Sequence, residues 1–296
     1  MVDLCFIFVY MLGVGLIGKT EILEPYVKRI QKNPNINIIG KASIGTDHVL
    51  NSFHYTIPEI NKIELIERAD VILTDNSSKL PYPLLCDVIK KSKHIFAVEH
   101  LNLTVDECTQ LAKLANESGS VIQVTNPFYF SPAIQWLNQH LIAPTYIDIS
   151  CILTEKIDST LISLLLMLLG TTGVYPKKIG AITFCSQQTG SNFNNVRLEF
   201  GDASVVNINY GNMHRLNEFK IKVYSSDRFV SLDFTNEVYL NNNVPLTINK
   251  TYSVDELDYF VNTILKKHKP QSSIEDYLAA LNAAQTISKK ISQFLL

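Results

Sequence analysis

The stretch FIFVYM (6–11), followed by LGVGLIG (12–18), decides the fold of this chain. A continuous apolar run such as Phe6–Met11 is typical of a parallel strand that is buried on both faces. The glycines that follow have the spacing G-x-G-x-x-G, and a helical pattern continues from them to about Ile30. The segment therefore predicts a strand, a tight glycine turn and a helix, which together begin a βαβ series.

The same alternation continues outward from this segment to about residue 125. A capping box, Thr104 with Glu107 three residues later, marks the start of one helix, and Gly119 marks its end. Further strands are predicted at short apolar runs: Ile36–Ile39, Val71–Leu73, Ile95–Val98 and Val121–Val124. Strands separated by helices in this way predict an α/β fold with a doubly wound parallel sheet of the Rossmann type.

The pattern changes after Asn126-Pro127. Alternating apolar and polar residues, as in Val196–Phe200 and Val206–Tyr210, are typical of half-buried antiparallel strands. Helices are predicted near Pro132–His140 and over 158–169, and two more close the chain. We therefore expect a Rossmann domain over residues 1–126 and an α+β domain with a mostly antiparallel sheet over residues 127–296.

The composition excludes several classes of protein. The 296 residues are 46% hydrophobic and have a formal charge of −2, so the chain can form a core but attracts neither nucleic acid nor an anionic membrane. The five cysteines contain no C-x-x-C pair, which argues against a disulfide framework or a metal site and favours a reducing compartment. The N-terminus lacks the basic start of a signal peptide, and the apolar run 161–169 is too short to span a bilayer. We expect a cytoplasmic protein.

The glycine motif predicts a site for a dinucleotide. Gly13 would form the tight turn, Gly15 would let the backbone approach a pyrophosphate, and Gly18 would let the helix pack closely on the strand. Leu16 and Ile17 lie between them and would belong to the same cofactor-binding segment. The alternative is a glycine-rich turn that binds nothing.

The end of the second predicted strand bears on the choice of dinucleotide. An acid that holds the ribose hydroxyls is expected there, but Ile36–Ile39 is followed by Gly40-Lys41-Ala42-Ser43. Lys41 and Ser43 would accommodate a 2′-phosphate, which favours NADP over NAD. The alternative is that Lys41 is a solvated loop cation.

Four segments together resemble a known family, the Gfo/Idh/MocA oxidoreductases, which include the biliverdin reductases. They are RADVILTDNSSK (68–79), KHIFAVEHLNLTVDECTQLAKLANESG (93–119), IDSTLISLLLMLLG (157–170) and SIEDYLAALNAAQTISKKI (273–291). The resemblance implies a nicotinamide dinucleotide bound to a Rossmann domain and an open sheet in the second domain that often forms dimers. It also implies hydride transfer between the nicotinamide and a small sugar-like or other cyclic substrate.

The resemblance also implies particular site residues in the first domain. Thr74, Asp75 and Asn76 correspond to the family's T-P-N segment beside the cofactor, with the proline replaced. Glu99 is kept from the family's Glu-Lys-Pro, whereas the lysine position is His100. A histidine there would suit proton transfer at neutral pH. The alternative is a polar residue at a strand end with no catalytic role.

In the second domain the family's D-x-x-x-H pattern is missing, since its best match places Cys151 and Glu155 at those positions. Lys156 and Asp158 would be the substitutes, although Asp158 is equally suited to cap the following helix. Two functions remain open. One is an NAD(P)-dependent oxidoreductase with a non-standard catalytic set. The other is a catalytically degenerate dinucleotide- or ligand-binding protein of the same fold.

Overall fold

The structure is a computed structural model that describes residues 11–42, 56–75, 80–141, 144–154, 160–185, 191–213, 216–266 and 270–293. The chain forms two compact units. The first contains residues 1–125 and 255–275, and the second contains residues 126–254 and 276–296.

The first unit is a parallel sheet with helices on both faces. Its strands lie in the order β2-β1-β3-β4-β5. The strands are β1 (Leu12–Ile17), β2 (Ile36–Ala42), β3 (Val71–Asp75), β4 (His94–Val98) and β5 (Ile122–Val124). The helices are α1 (Thr20–Ile30), α2 (Lys62–Arg68), α3 (Tyr82–Lys90), α4 (Val105–Ser118) and α7 (Glu256–Lys266).

The core of this unit lies on both sides of β1, all six residues of which are buried. Leu12, Val14 and Leu16 point to one face, where they pack with α1 and α7 in a single apolar cluster. Phe260 of α7 belongs to that cluster and is fully buried. The prediction that everything after residue 126 forms the second domain is therefore wrong for residues 255–275, because the apolar side of α7 covers the first sheet.

The second unit is built on an eight-stranded sheet in the order β13-β12-β11-β10-β6-β9-β8-β7. Only β6 and β9 pair in parallel among the described pairings, and the others are antiparallel. The strands are β6 (Tyr146–Leu153), β7 (Lys178–Cys185), β8 (Asn192–Glu199), β9 (Val205–Asn212), β10 (Glu218–Tyr224), β11 (Phe229–Asp233), β12 (Val238–Asn241) and β13 (Val244–Pro245). The helices are α5 (Pro132–His140), α6 (Thr160–Thr172) and α8 (Ile274–Ser292), the last of which begins in the first unit.

The predicted fold class is confirmed, with a parallel sheet first and a mostly antiparallel sheet second. The position of the first strand is wrong, because β1 is Leu12–Ile17, and residues 6–10 lie outside the described part. The second strand is longer than expected and continues to Ala42. Within the described ranges, no helix combines the length and the apolar character needed to cross a membrane.

Candidate functional site

Two of the three motif glycines lie inside β1 and not in the turn that follows it. A Cβ on Gly13 would lie 2.8 Å from the Ile39 side chain of β2. A Cβ on Gly15 would lie 2.9 Å from Leu65 of α2 and 3.2 Å from Ala69. The expectation that Gly13 and Gly15 form a phosphate-binding turn is therefore wrong. They are glycines because neighbouring elements pack directly against the strand.

The turn between β1 and α1 consists of Gly18 and Lys19. If the dinucleotide fingerprint starts at the glycine that lies in this turn, its second and third glycines should be residues 20 and 23. The chain has Thr20 and Leu23 at those positions, and Leu23 is fully buried in the core. Only one glycine of the fingerprint is thus present where the structure needs it.

The strand order places a topological switch point between β1 and β3. The chain proceeds from β1 to β2 on one side, and then to β3 on the other side of β1. In open α/β sheets of this kind, ligands bind outside the carboxyl ends of the strands at such a point. Gly18 follows the last residue of β1, and Asp75 is the last residue of β3. This edge is the candidate functional site of the first unit.

The carboxylate of Asp75 lies against the beginning of α1. Its Oδ2 accepts a hydrogen bond from the Lys19 backbone N–H at 2.5 Å. A Cβ on Gly18 would lie 2.6 Å from the same oxygen, so only glycine fits there. Asp75 is buried, with 4% of its surface exposed. A negative group is favourable at the positive end of a helix dipole, and the protein supplies that group itself.

Charged side chains surround Tyr26 of α1. Burial raises the pKa of Tyr26 in α1 to about 12. The carboxylates of Glu256, Asp255 and Glu99 raise it further, and they are opposed by the positive charge of Arg29. The α1 helix also has Glu21 in its first turn. Of these carboxylates, Glu21 and Glu99 lie toward the carboxyl edge of the sheet, whereas Asp255 pairs with Arg29 in the last turn of α1.

Different surroundings from those expected are found for Leu16, Ile17 and Lys41, whereas Thr74 lies at the carboxyl end of β3 as expected. The side chains of Leu16 and Ile17 are buried in the core of β1, with 1% and 0% of their surfaces exposed. Lys41 lies inside β2 and pairs with Leu16, so its placement in a loop after the strand is wrong. Thr74 is buried beside Asp75 in β3.

Glu99 and His100 follow the carboxyl end of β4, as expected for residues of this edge. Val98, the last residue of β4, pairs with Asp75. Glu99 has a positive φ of 71°, a backbone conformation that non-glycine residues rarely adopt. Its backbone N–H donates to Thr125 Oγ1 at 2.7 Å, which stabilises this bend. His100 is half-buried.

Four predicted site residues lie outside the described part of the chain: Ser43, Asn76, Lys156 and Asp158. In the part that is described, no group of three or more His, Cys, Asp or Glu side chains is arranged to hold a metal ion. The sequence thus located Asp75 but not its contact with α1. An aspartate two residues after the buried run Val71–Leu73 is a signal for a strand-end carboxylate. Its hydrogen-bond partner, the Lys19 N–H, lies in the turn after a different strand, β1, so the sequence around Asp75 does not reveal it.

A parallel Rossmann-like sheet joined to a large antiparallel sheet defines the fold of the Gfo/Idh/MocA-type dehydrogenases, and this chain has that fold. The resemblance noted in the sequence is thereby confirmed for the fold. One similar solved structure is the UDP-N-acetylglucosamine 3-dehydrogenase GnnA from Acidithiobacillus ferrooxidans. Its TM-score is 0.85 at 17% identity, over 97% of this chain and 99% of that chain.

Two further structures extend the comparison. A dehydrogenase from Chromobacterium violaceum has a TM-score of 0.77 at 16% identity, over 96% of both chains. A Synechocystis biliverdin reductase, solved in complex with biliverdin and NADP+, has a TM-score of 0.71 at 13% identity, over 95% of this chain and 99% of that chain. Neither a protein-family model nor a curated protein sequence matches this chain. The likeness of this chain to these solved structures therefore establishes its fold alone.

Proposed function

We propose that this chain is a catalytically degenerate ligand-binding protein with a dehydrogenase fold, in which a carboxylate of the protein replaces the dinucleotide pyrophosphate. The observation that carries the proposal is the hydrogen bond from the Lys19 N–H to Asp75 Oδ2 at the start of α1. In dinucleotide-binding proteins the pyrophosphate lies at this helix end.

Charge and shape both support this proposal. A pyrophosphate would have to displace or lie beside the buried Asp75 carboxylate, and like charges in contact repel strongly where water is excluded. Thr20 replaces the glycine that would let the backbone approach the phosphates. The protein therefore keeps the sheet and its switch point but lacks the features that hold a dinucleotide there.

Titration calorimetry with NADPH and with NADH tests the proposal. We expect no binding of either to the wild-type protein at millimolar concentration. Asp75→Ala removes the carboxylate and frees the Lys19 N–H, so we expect this variant to gain measurable affinity for inorganic pyrophosphate and for NADPH. Micromolar binding of either cofactor to the wild-type protein would contradict the proposal.

Asp70→Ala is the matched control. Asp70 lies at the other end of β3, and its Oδ2 accepts a hydrogen bond from the Gly13 N–H of β1 at 2.8 Å. Both substitutions thus remove a carboxylate that accepts from the backbone of β1 or its turn, but only Asp75 is at the ligand edge. A gain in affinity with Asp70→Ala as large as that with Asp75→Ala would exclude a specific effect of Asp75.

The second candidate is an NAD(P)-dependent oxidoreductase with an altered catalytic set, and the whole-chain likeness to GnnA favours it. Its cofactor would be NAD or NADP, the latter favoured by Lys41 and Ser43. His100 would then be the acid or base, with Lys156 and Asp158 as further candidates and Glu99 beside the cofactor. Binding of a cofactor to the wild-type protein in the same titration, followed by turnover that His100→Ala abolishes, would establish it.

The assembly and location of the protein are also proposals. A homodimer through the second sheet is supported by Ile182 and Phe184 of β7, which are 55% and 66% exposed. A small molecule is the expected partner. The cytoplasm is proposed from the free cysteines Cys86, Cys108, Cys151 and Cys185 in the described part.

A further inference from the structure

The second unit contains a cavity of about 420 Å³ between the sheet and the helices α6 and α8. All of its lining residues in the described part of the chain belong to that unit. Its volume is in the range of roughly 300–1,000 Å³ that small-molecule sites occupy. The floor is formed by the ends of β6, β9, β8 and β7, which are adjacent in the sheet.

Two rows of side chains cross these four strands and form the floor. In the inner row, Tyr210 pairs with both Cys151 and Asn194, and Asn194 pairs with Thr183. Because successive strands place paired residues on the same face, these four side chains form one line across the sheet. Asn194 is buried, with 7% of its surface exposed.

The outer row lies two residues away from the inner row on each strand. Asn212 pairs with both Leu153 and Asn192, and Asn192 pairs with Cys185. The Asn192 Oδ1 accepts a hydrogen bond from the Asn212 N–H at 3.2 Å. The outer row is thus also rich in amides.

The preceding row on the same face is apolar and fully packed. Ile149 pairs with Ile208, Ile208 with Val196, and Val196 with Ala181, and all four are buried. The side chains therefore change from apolar to polar where the packed core ends and the cavity begins. Burying amides is unfavourable unless they have hydrogen-bond partners, so amides in this position are suited to contact a ligand or water.

The floor is polar but carries no charge. None of the eight strand residues in the two rows is Asp, Glu, Lys, Arg or His. Burial raises the pKa of the Tyr210 phenol to about 12 and that of the Cys151 thiol to about 11, so both are neutral at physiological pH. An anionic or cationic ligand would lose its hydration here without gaining a counter-charge from the floor, which is costly.

We propose that this cavity binds an uncharged molecule that both donates and accepts hydrogen bonds, and that Asn192, Asn194 and Asn212 determine this specificity. A side-chain amide has two N–H donors and a carbonyl acceptor, so these three residues match such a ligand. The inference rests on the proposed function in one respect, since it names the site and the class of ligand of a binding protein.

A series of pyranoses that differ in charge tests this inference by ligand-observed NMR titration. The probes are N-acetyl-D-glucosamine, which is uncharged, D-glucosamine, which is cationic, and D-glucuronate, which is anionic. We expect the uncharged probe to bind the wild-type protein at millimolar concentration, and both charged probes to bind at least about tenfold more weakly. Absence of binding by the uncharged probe, or equal binding of D-glucuronate, would overturn the inference.

Asn192→Asp tests whether the floor sets the preference. The aspartate keeps the acceptor for the Asn212 N–H and adds a negative charge to the half-buried edge of the floor. We expect it to reverse the order of N-acetyl-D-glucosamine and D-glucosamine, a shift that a change in folding alone would not produce. An unchanged order would contradict the inference.

Asn195→Asp is the matched control, because Asn195 lies on the same strand with its side chain on the opposite face, where it donates to Asn209 Oδ1 at 2.7 Å. We expect it to keep the wild-type order, and an equal reversal would place the effect outside the cavity. The cofactor titration and the sugar series fail independently. Binding of NADPH to the wild-type protein contradicts the proposed function, whereas loss of the charge preference contradicts only this inference.

Discussion

At the scale of single residues, the glycines of β1 show that close packing alone can produce the spacing of a sequence motif. Gly13 and Gly15 have no side chain because Ile39 and the helix α2 occupy the space where a Cβ would lie. Gly18 is a glycine because the carboxylate of Asp75 lies where its Cβ would be. Their spacing as G-x-G-x-x-G thus results from three separate close contacts.

Gly15→Ala tests this explanation. The added methyl group would lie 2.9 Å from the Leu65 Cγ and 3.2 Å from the Ala69 Cβ, so α2 must move away from the strand. Inserting a methyl group into a packed core destabilises a protein by about 1–3 kcal/mol. We expect a loss of that size in the free energy of unfolding, measured with urea.

The control for this change is Gly180→Ala, since Gly180 also lies in a strand, β7. Its added Cβ would be 3.9 Å from the nearest atoms, on Arg197, which is ordinary contact. We expect little or no loss of stability there. Equal losses at both positions would indicate a general effect of replacing a strand glycine, and not contact with α2.

At the scale of elements, His94 joins the start of β4 to the start of β5. Its Nδ1 accepts a hydrogen bond from the Val121 N–H at 2.9 Å, which requires an unprotonated ring nitrogen. Burial lowers the pKa of His94 below its ordinary value of 6.5, with a smaller contribution from the positive charge of Lys93, while Asp70 opposes the shift.

This lowered pKa predicts how stability depends on pH. The contribution of His94 is fully present above pH 6.5 and falls as the pH drops further, because the unfolded chain binds a proton that the folded His94 resists. We expect urea unfolding to show a loss of stability below that pH. His94→Gln has no titrating ring, so it should reduce this loss, and an unchanged pH dependence in the variant would contradict the explanation.

At the scale of the whole molecule, the chain returns to its first unit after completing most of the second. The helix α7 contributes Leu257, Phe260 and Val261 to the cluster that covers one face of β1 and β3. The Phe260 ring lies 5.1 Å from the Phe96 ring of β4. A segment more than 100 residues away in sequence from the first sheet therefore completes its core.

Phe260→Ala should therefore weaken the first unit. Truncating a buried phenylalanine destabilises a protein by about 3–5 kcal/mol, through lost burial and the cavity that remains. We expect faster amide hydrogen exchange in β1 and β3. The control is Phe200→Ala, which truncates a buried residue of the second unit and should accelerate exchange in β8 and β9 instead. Equal acceleration in β1 by both variants would contradict the assignment of α7 to the first unit.

Much of the architecture was predictable because it depends on local periodicity. The capping box of α4 forms as expected, with the Thr104 side chain accepting from Glu107 N and the Glu107 side chain accepting from Thr104 N. The helix α5 also has the predicted limits, Pro132–His140. Each of these patterns is determined by residues that are close in sequence, so the sequence alone displays it.

The candidate site was less predictable because its contacts join distant segments. The spacing of Gly13, Gly15 and Gly18 does not reveal which glycine lies in the turn, since strand and turn can shift by several residues along an apolar run. Asp75 was identified as a site residue, but its contact with Lys19 spans 56 positions. The amide floor arises only when β6, β9, β8 and β7 are aligned in register.

The sequence by itself thus determined the two sheets, their helices and the class of fold, because hydrophobic periodicity and helix caps act over a few residues. Only the tertiary structure decided that the glycine motif is part of a strand, that α7 belongs to the first unit, and that Asp75 occupies the start of α1. The physical reason is that each of these three features depends on which side chain packs against a given strand or helix. The packing partners are distant in sequence, so neighbouring residues in the chain do not determine them.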